Sequence, residues 1–330
     1  MIAGNDILVI KLGALGDVIL ATPHLRRIVE AHPDARVTLL TAPGYADLVQ
    51  GLPGLEVVTF RRHGLAEMWR VLAWLRRHAF AVVYDLQGSV RSRIMTAASG
   101  ATRRVGRCRS AVYTHYPPAG GNHRHAFRML NELLECAGID PAPPQAWLTA
   151  AGDTGGRVSL WLEKNRLAGA RLVLMHAGCS ARWPSKRWDA AYFAALARAL
   201  QDRGFRVVWI GGREDRELNG WLARQAGQDA TAEFSFPELV ALGRCCEFAV
   251  VNDSGPMHVL AAADVPVYAL FGPTDWRRSH ALGQQERVLC NAVPCSPCHL
   301  RSCPPEKEHR CLHEITPGMV LARLADDGCL

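Results

Sequence analysis

The chain has 330 residues, 49% of them hydrophobic and 21% charged, and a formal net charge of +7. That is two domains' worth at ~150 residues each, and the balance excludes a disordered chain, a collagen-like repeat and a coiled coil. No apolar run approaches the ~18 residues a membrane-spanning helix needs, and Met1–Asp6 carries no basic segment, so the expectation is a cytosolic protein without a secretory signal.

Ile7–Ile10 is a continuous apolar run that reads as a buried parallel strand. It ends in a glycine-punctuated turn, Lys11-Leu12-Gly13-Ala14-Leu15-Gly16-Asp17, before a helical pattern through Ile19, Leu20, Leu25 and Ile28. Strands at Val37–Leu40, Val57–Phe60 and Ala81–Tyr84 alternate with helices at 45–50 and 65–77. Tyr116–Gly121 reads as a loop and Phe127–Ala137 as a helix. Breakers crowd 141–144 and 151–156, so the domain boundary is placed after about residue 165. The pattern then restarts, with strands at 172–176, 207–210, 248–251 and 267–271 and helices at 188–203, 218–225, 237–245 and 257–263. No short repeat is visible. These alternations predict an α/β protein of two doubly wound, Rossmann-like domains, 1–165 and 166–330, with the last helix free to pack back on the first. The two domains are expected to face each other across a central cleft, with ligands at the carboxyl ends of the strands.

The Gly13–Asp17 turn lets the backbone approach a ligand through Gly13 and Gly16, but it is neither Gly-x-Gly-x-x-Gly nor a P-loop. Asp17 fits two roles there, a helix cap or a general base. Lys186 opens a helix and is either a phosphate ligand or a solvated cation. In Asn252-Asp253-Ser254-Gly255-Pro256-Met257-His258, Asp253 and Ser254 suit capping, and the free amides suit a nucleotide diphosphate. His258 is a structural hydrogen-bonder or a catalyst.

Cys295-x-x-Cys298, with Cys303 and Cys311, could begin a zinc site. A second Cys-x-x-Cys is missing, so thiols pinning a loop remain the alternative. Residues 1–150 carry 17 Lys and Arg against 11 Asp and Glu, whereas 151–330 carry 21 against 20. The first half therefore suits an anionic partner: nucleic acid, a phosphorylated lipid or an acidic membrane face. Arg61, Arg62, Arg91 and Arg93 follow strand ends and are the candidates for gripping phosphate, with Arg103, Arg104 and Arg107 completing the basic set. The aromatic interleaving of a nucleic-acid surface is missing, which disfavours specific nucleic-acid binding.

Four segments together resemble glycosyltransferase family 9, the heptosyltransferases of lipopolysaccharide synthesis. They are Ile10–Val18 with Pro23, His176-Ala177-Gly178 followed by Lys186-Arg187-Trp188, Gly211–Asp215, and Asn252–His258 continuing to Leu270–Asp275. The resemblance implies a GT-B fold with no catalytic metal and no cofactor. It implies a phosphorylated lipid-linked acceptor on the first domain and a sugar nucleotide, typically ADP-heptose, on the second. Asp17 matches the family's base and Lys186 the lysine that grips the donor phosphates. Asp253, Ser254, Gly255 and His258 match the donor loop, Gly178 lies in the donor segment, and Glu214 falls where an acidic residue meets the nucleoside. The reaction implied is a single inverting displacement, carried out at the inner face of the inner membrane with peripheral contact to anionic lipid. Ala230–Phe236 departs from the Gly-Lys-Thr/Ser segment of many members, which leaves the donor preference open. A GT-B sugar-nucleotide epimerase and a non-catalytic glycan- or lipid-binding module are the alternatives.

Overall fold

The computed structural model describes residues 6–61, 64–119, 124–148 and 153–330, so Arg62 lies outside the described residues. The chain divides into two units, 1–151 and 152–330.

The first unit runs β1 (Asp6–Ile10), α1 (Leu15–Ala31), β2 (Val37–Thr41), α2 (Ala46–Val49), β3 (Leu55–Thr59), α3 (Leu65–Arg77), β4 (Phe80–Asp85), α4 (Val90–Ala98), β5 (Arg103–Val105) and α5 (Ala126–Cys136). Its strands pair in parallel in the order β3-β2-β1-β4-β5. The centre is apolar because it is covered on both faces: Leu8, Val9 and Ile10 are fully buried. Val71 and Leu75 of α3 and Met95 of α4 close one layer, and α1 and α5 pack together. Pro23 sits inside α1 and cannot donate to the carbonyl of Ile19. The Thr22 hydroxyl donates to that carbonyl instead at 2.8 Å, and accepts from the Trp147 amide at 2.9 Å.

The second unit runs α6 (Thr154–Lys164), β6 (Leu172–His176), α7 (Ala190–Gln201), β7 (Arg206–Trp209), α8 (Arg216–Gln225), β8 (Gln228–Asp229), α9 (Phe236–Gly243), β9 (Phe248–Asn252), α10 (Gly255–Ala261), β10 (Val267–Phe271), α11 (Trp276–Ser279), β11 (Val288–Cys290), α12 (Arg310–His313) and α13 (Pro317–Asp326). The sheet is parallel throughout, ordered β11-β10-β9-β6-β7-β8. Trp209, Phe193, Phe205, Phe248 and Tyr268 fill its core.

Two expectations differ from this architecture. The unit boundary falls at 151/152 rather than after 165, because α6 forms where the glycines read as breakers. Asp153 accepts from the Gly156 amide at 2.9 Å, and the helix packs on α9 of the second unit. Helix α13 lies on α7, and its Val320 and Leu324 enter the second core. The segment of Arg103 and Arg104 is an edge strand, and its arginines are committed to backbone carbonyls, Arg103 to Ala137 and Arg104 to Val112 and Ala101.

In both sheets the chain order reverses beside the first strand, between β1 and β4 and again between β6 and β9. Loops part at such points and leave room for a ligand beyond the carboxyl ends.

Candidate functional site

At the first reversal the loops after β1 and β4 are tied together. The Leu12 amide donates to Gln87 Oε1 at 2.9 Å, and Lys11 Nζ reaches the Leu86 carbonyl at 3.4 Å from a buried position. Asp85 closes β4 and organises the turn, accepting from the Gln87 and Gly88 amides at 3.0 and 2.8 Å and from the Tyr113 hydroxyl at 2.6 Å. Burial pushes its carboxyl up, and these hydrogen bonds oppose the shift. Gly13 has φ +127°, a conformation that L side chains rarely adopt, so glycine is required there. Gly16 lies in the first turn of α1.

Asp17 is exposed at the third position of α1, and its Oδ2 accepts from the Ala14 amide at 3.2 Å. It caps the helix and still presents its other oxygen, which has no hydrogen bond among the described residues, so the two roles read from the sequence are compatible. A pocket of about 520 Å³ is lined by Leu12 of the loop after β1, by Gln87, Ser89, Val90, Arg91 and Ile94 after β4, and by Met68; Asp17 is not part of its wall.

The basic candidates separate. Arg91 is exposed and lines this pocket. Arg93 is half-buried, lies close enough to act on Tyr113, and does not line it. Arg61 is exposed, its backbone amide donating to Glu67. Arg107 donates to the Gln87 carbonyl at 3.4 Å.

At the second reversal Asn252 is the tie. Fully buried at the end of β9, it accepts from the Trp188 amide at 3.0 Å and donates to the carbonyls of Ala177 and Gly178 at 2.8 and 3.3 Å. This ties both ends of the β6–α7 loop, which carries Lys186, to the end of β9. Lys186 Nζ lies 2.7 Å from Asp253 Oδ2, which also accepts from the Thr274 hydroxyl at 2.5 Å. Residues beyond 290 brace the same loop: Ser185 bonds Leu300 and Arg301, and His309 bonds the Ser185 carbonyl at 2.6 Å. Burial holds the His309 imidazole below its ordinary value.

Ser254 stands at the N-cap of α10 but does not cap it. Its hydroxyl meets His176 Nδ1 at 3.0 Å and the Asn252 carbonyl at 3.1 Å, leaving the first amides of the helix without a side-chain cap. His176 Nε2 faces the buried Asp215 carboxylate at 3.5 Å. Asp215 rests directly on Gly178 and Gly211, where a methyl group would collide with it. Gly178 is therefore a packing requirement of Asp215. Glu214 is exposed, whereas its neighbour Asp215 points inward. Gly255 begins α10, and His258 is buried in it.

Asn252, His176, Asp215 and Thr274 stand inside the segments that carry the resemblance, but the sequence reading gave no role to them or to Asp85 and Gln87. The available signal was a polar residue closing an apolar strand, as at Asp85, His176 and Asn252.

Cys295, Cys298, Cys303 and Cys311 are free thiols. Among the described residues no group of three or more His, Cys, Asp or Glu side chains is arranged to hold a metal ion. Burial, reinforced by the three neighbouring cysteines, pushes the Cys311 thiol up to about 11. Among the described residues no helix is long and apolar enough to cross a membrane.

The model of the family described as glycosyltransferase family 9 (heptosyltransferase) matches residues 156–309. Lipopolysaccharide heptosyltransferase 1 of Pseudomonas aeruginosa is 29% identical over 94% of this chain and 91% of its own length. The crystal structure of a family 9 glycosyl transferase from Veillonella parvula superposes with a TM-score of 0.84 at 23% identity, covering 99% of this chain and 98% of that one. The structure of E. coli ADP-heptose lps heptosyltransferase II gives 0.75 at 23% identity, covering 97% and 98%. The two-sheet architecture is thus that of GT-B enzymes.

Proposed function

We propose that this chain, similar to glycosyltransferase family 9 over residues 156–309, is a glycosyltransferase of that family and transfers a heptosyl residue from ADP-heptose to a phosphorylated lipopolysaccharide-core acceptor. The observation that carries the reading is the placement of both family motifs at chain reversals, Asp17 beside the first and Lys186 beside the second.

In this reading the acceptor hydroxyl, a poor nucleophile, loses its proton to the exposed oxygen of Asp17 as it attacks the anomeric carbon. Arg91 holds an acceptor phosphate at the pocket mouth. Attack from the face opposite the nucleotide inverts the anomeric centre in one displacement. Negative charge then gathers on the leaving diphosphate. Lys186 exchanges Asp253 for that diphosphate, and the uncapped turn at Ser254–Gly255 adds amide donors. A lysine and oriented amides supply the charge a divalent cation could otherwise provide, so turnover is expected to persist in chelator.

The test is incubation of the purified chain with ADP-heptose and a phosphorylated core acceptor, with and without chelator. Heptosylated acceptor and ADP in equal amounts are expected. Release of an epimerised nucleotide without acceptor would replace this reading with an epimerase.

A further inference from the structure

We propose that the α3–α4 face of the first unit docks on an anionic lipid bilayer. Large hydrophobic residues scattered singly on a surface need no explanation, but a contiguous group does. Leu65 and Trp69 are 83% and 68% exposed, and Val90 and Ile94 are 68% and 48% exposed. Each pair is spaced four residues apart, so each helix carries an apolar stripe on its outer side. The opposite sides, with Val71, Leu75 and Met95, are buried in the core. The two helices pack together, and Met68 and Arg91 line one surface hollow with Leu65 and another with Val90 and Ile94, which joins the stripes.

The charge around the patch is positive. Arg61, Arg70 and Arg91 are exposed there, and the acidic residue between them, Glu67, is already bound by Arg70 at 2.7 Å. An apolar stripe holding a tryptophan and rimmed by arginines has the composition of a helix lying in the interface of an anionic membrane. A second copy of the chain would also cover the apolar area. It would bring like-charged arginines together across a symmetric contact, however, which a bilayer of anionic headgroups does not.

The patch also continues into the pocket lined by Leu12 and Gln87, since Val90, Ile94 and Met68 belong to its wall. If the acceptor is a glycolipid, a point that rests on the function proposed above, its acyl part remains in the bilayer while its head reaches Leu12 and Gln87.

The test uses the full chain and vesicles of phosphatidylcholine, alone or with about a third phosphatidylglycerol. Co-sedimentation at ~0.1 M salt should favour the anionic vesicles at least ~10-fold and weaken at high salt. Leu65→Ser combined with Trp69→Ser should lower vesicle binding at least ~10-fold, with an unchanged melting curve and unchanged turnover on a deacylated, water-soluble acceptor. Wild-type protein that ignores anionic vesicles, or a variant that binds them equally well, overturns the proposal. So does a dimer abolished by the variant in protein that binds no vesicle. Loss of vesicle binding in a chain that transfers no sugar would retain the docking face and discard heptosyl transfer.

Discussion

Asp253 holds the ammonium of Lys186 at 2.7 Å and the hydroxyl of Thr274 at 2.5 Å through one carboxylate oxygen. The lysine is thereby held in place, while Asp253 itself is buried. Removing one partner of such a pair strands the other charge. Lys186→Met should therefore weaken ADP-sugar binding at least ~10-fold and also lower stability by about 1–3 kcal/mol. Adding Asp253→Asn should recover most of the stability and none of the donor affinity. Calorimetric titration and urea unfolding of the single and double variants separate the two effects.

Asp17 caps the Ala14 amide and presents its second oxygen to solvent. Asp17→Asn keeps a hydrogen-bond acceptor at the cap but cannot take a proton. Stability should change by less than ~0.5 kcal/mol, while kcat falls by ~10²–10⁴ with donor affinity intact. A near-normal kcat on heptosyl transfer would reduce Asp17 to a capping residue.

The imidazole of His309 meets the carbonyl of Ser185, next to Lys186, the lysine proposed to bind the donor. His309→Ala removes this brace without touching the ligand. We expect a stability loss of about 1 kcal/mol and a several-fold rise in donor Kd, with the acceptor KM unchanged. Equal weakening of both substrates would point to general damage in the second unit.

His24 is fully buried on α1, with Nε2 donating to the Phe127 carbonyl at 3.2 Å, and burial lowers its pKa from 6.5 to about 4. Between those values the unfolded chain binds a proton that the folded chain refuses. The stability from neutral His24 is thus complete above pH 6.5 and declines as pH falls toward 4. The whole span is worth about 3 kcal/mol. His24→Gln retains a donor for Phe127 and does not titrate, so the difference between variant and wild type should shift in the variant's favour from pH 7 to pH 5 in urea unfolding.

The buried strands were legible because parallel strands covered on both faces are written as apolar runs, as at Ile7–Ile10 and Leu172–Met175. Edge strand β5 was not, since Arg103-Arg104-Val105 has no such run. Helix α6 was hidden by Gly155 and Gly156, which Asp153 and packing on α9 overcome. Lys186, Asp253 and Asp17 stood out by their motifs. Asn252, His176 and Asp215 act through contacts between strands far apart in sequence, and local pattern carries no trace of a partner 64 or 75 residues away.

The bracing of the Lys186 loop by Leu300, Arg301 and His309, and of Trp188 by the Ile315 carbonyl, also sets an order on biosynthesis. The first unit has its whole sheet once residue 105 has left the ribosome, and can begin folding as a domain. The Lys186 loop must wait for more than a hundred further residues before its supports exist. Until then Trp188 lacks the partner of its indole N–H, and the nascent second unit is the stretch in which chaperones would find exposed apolar surface.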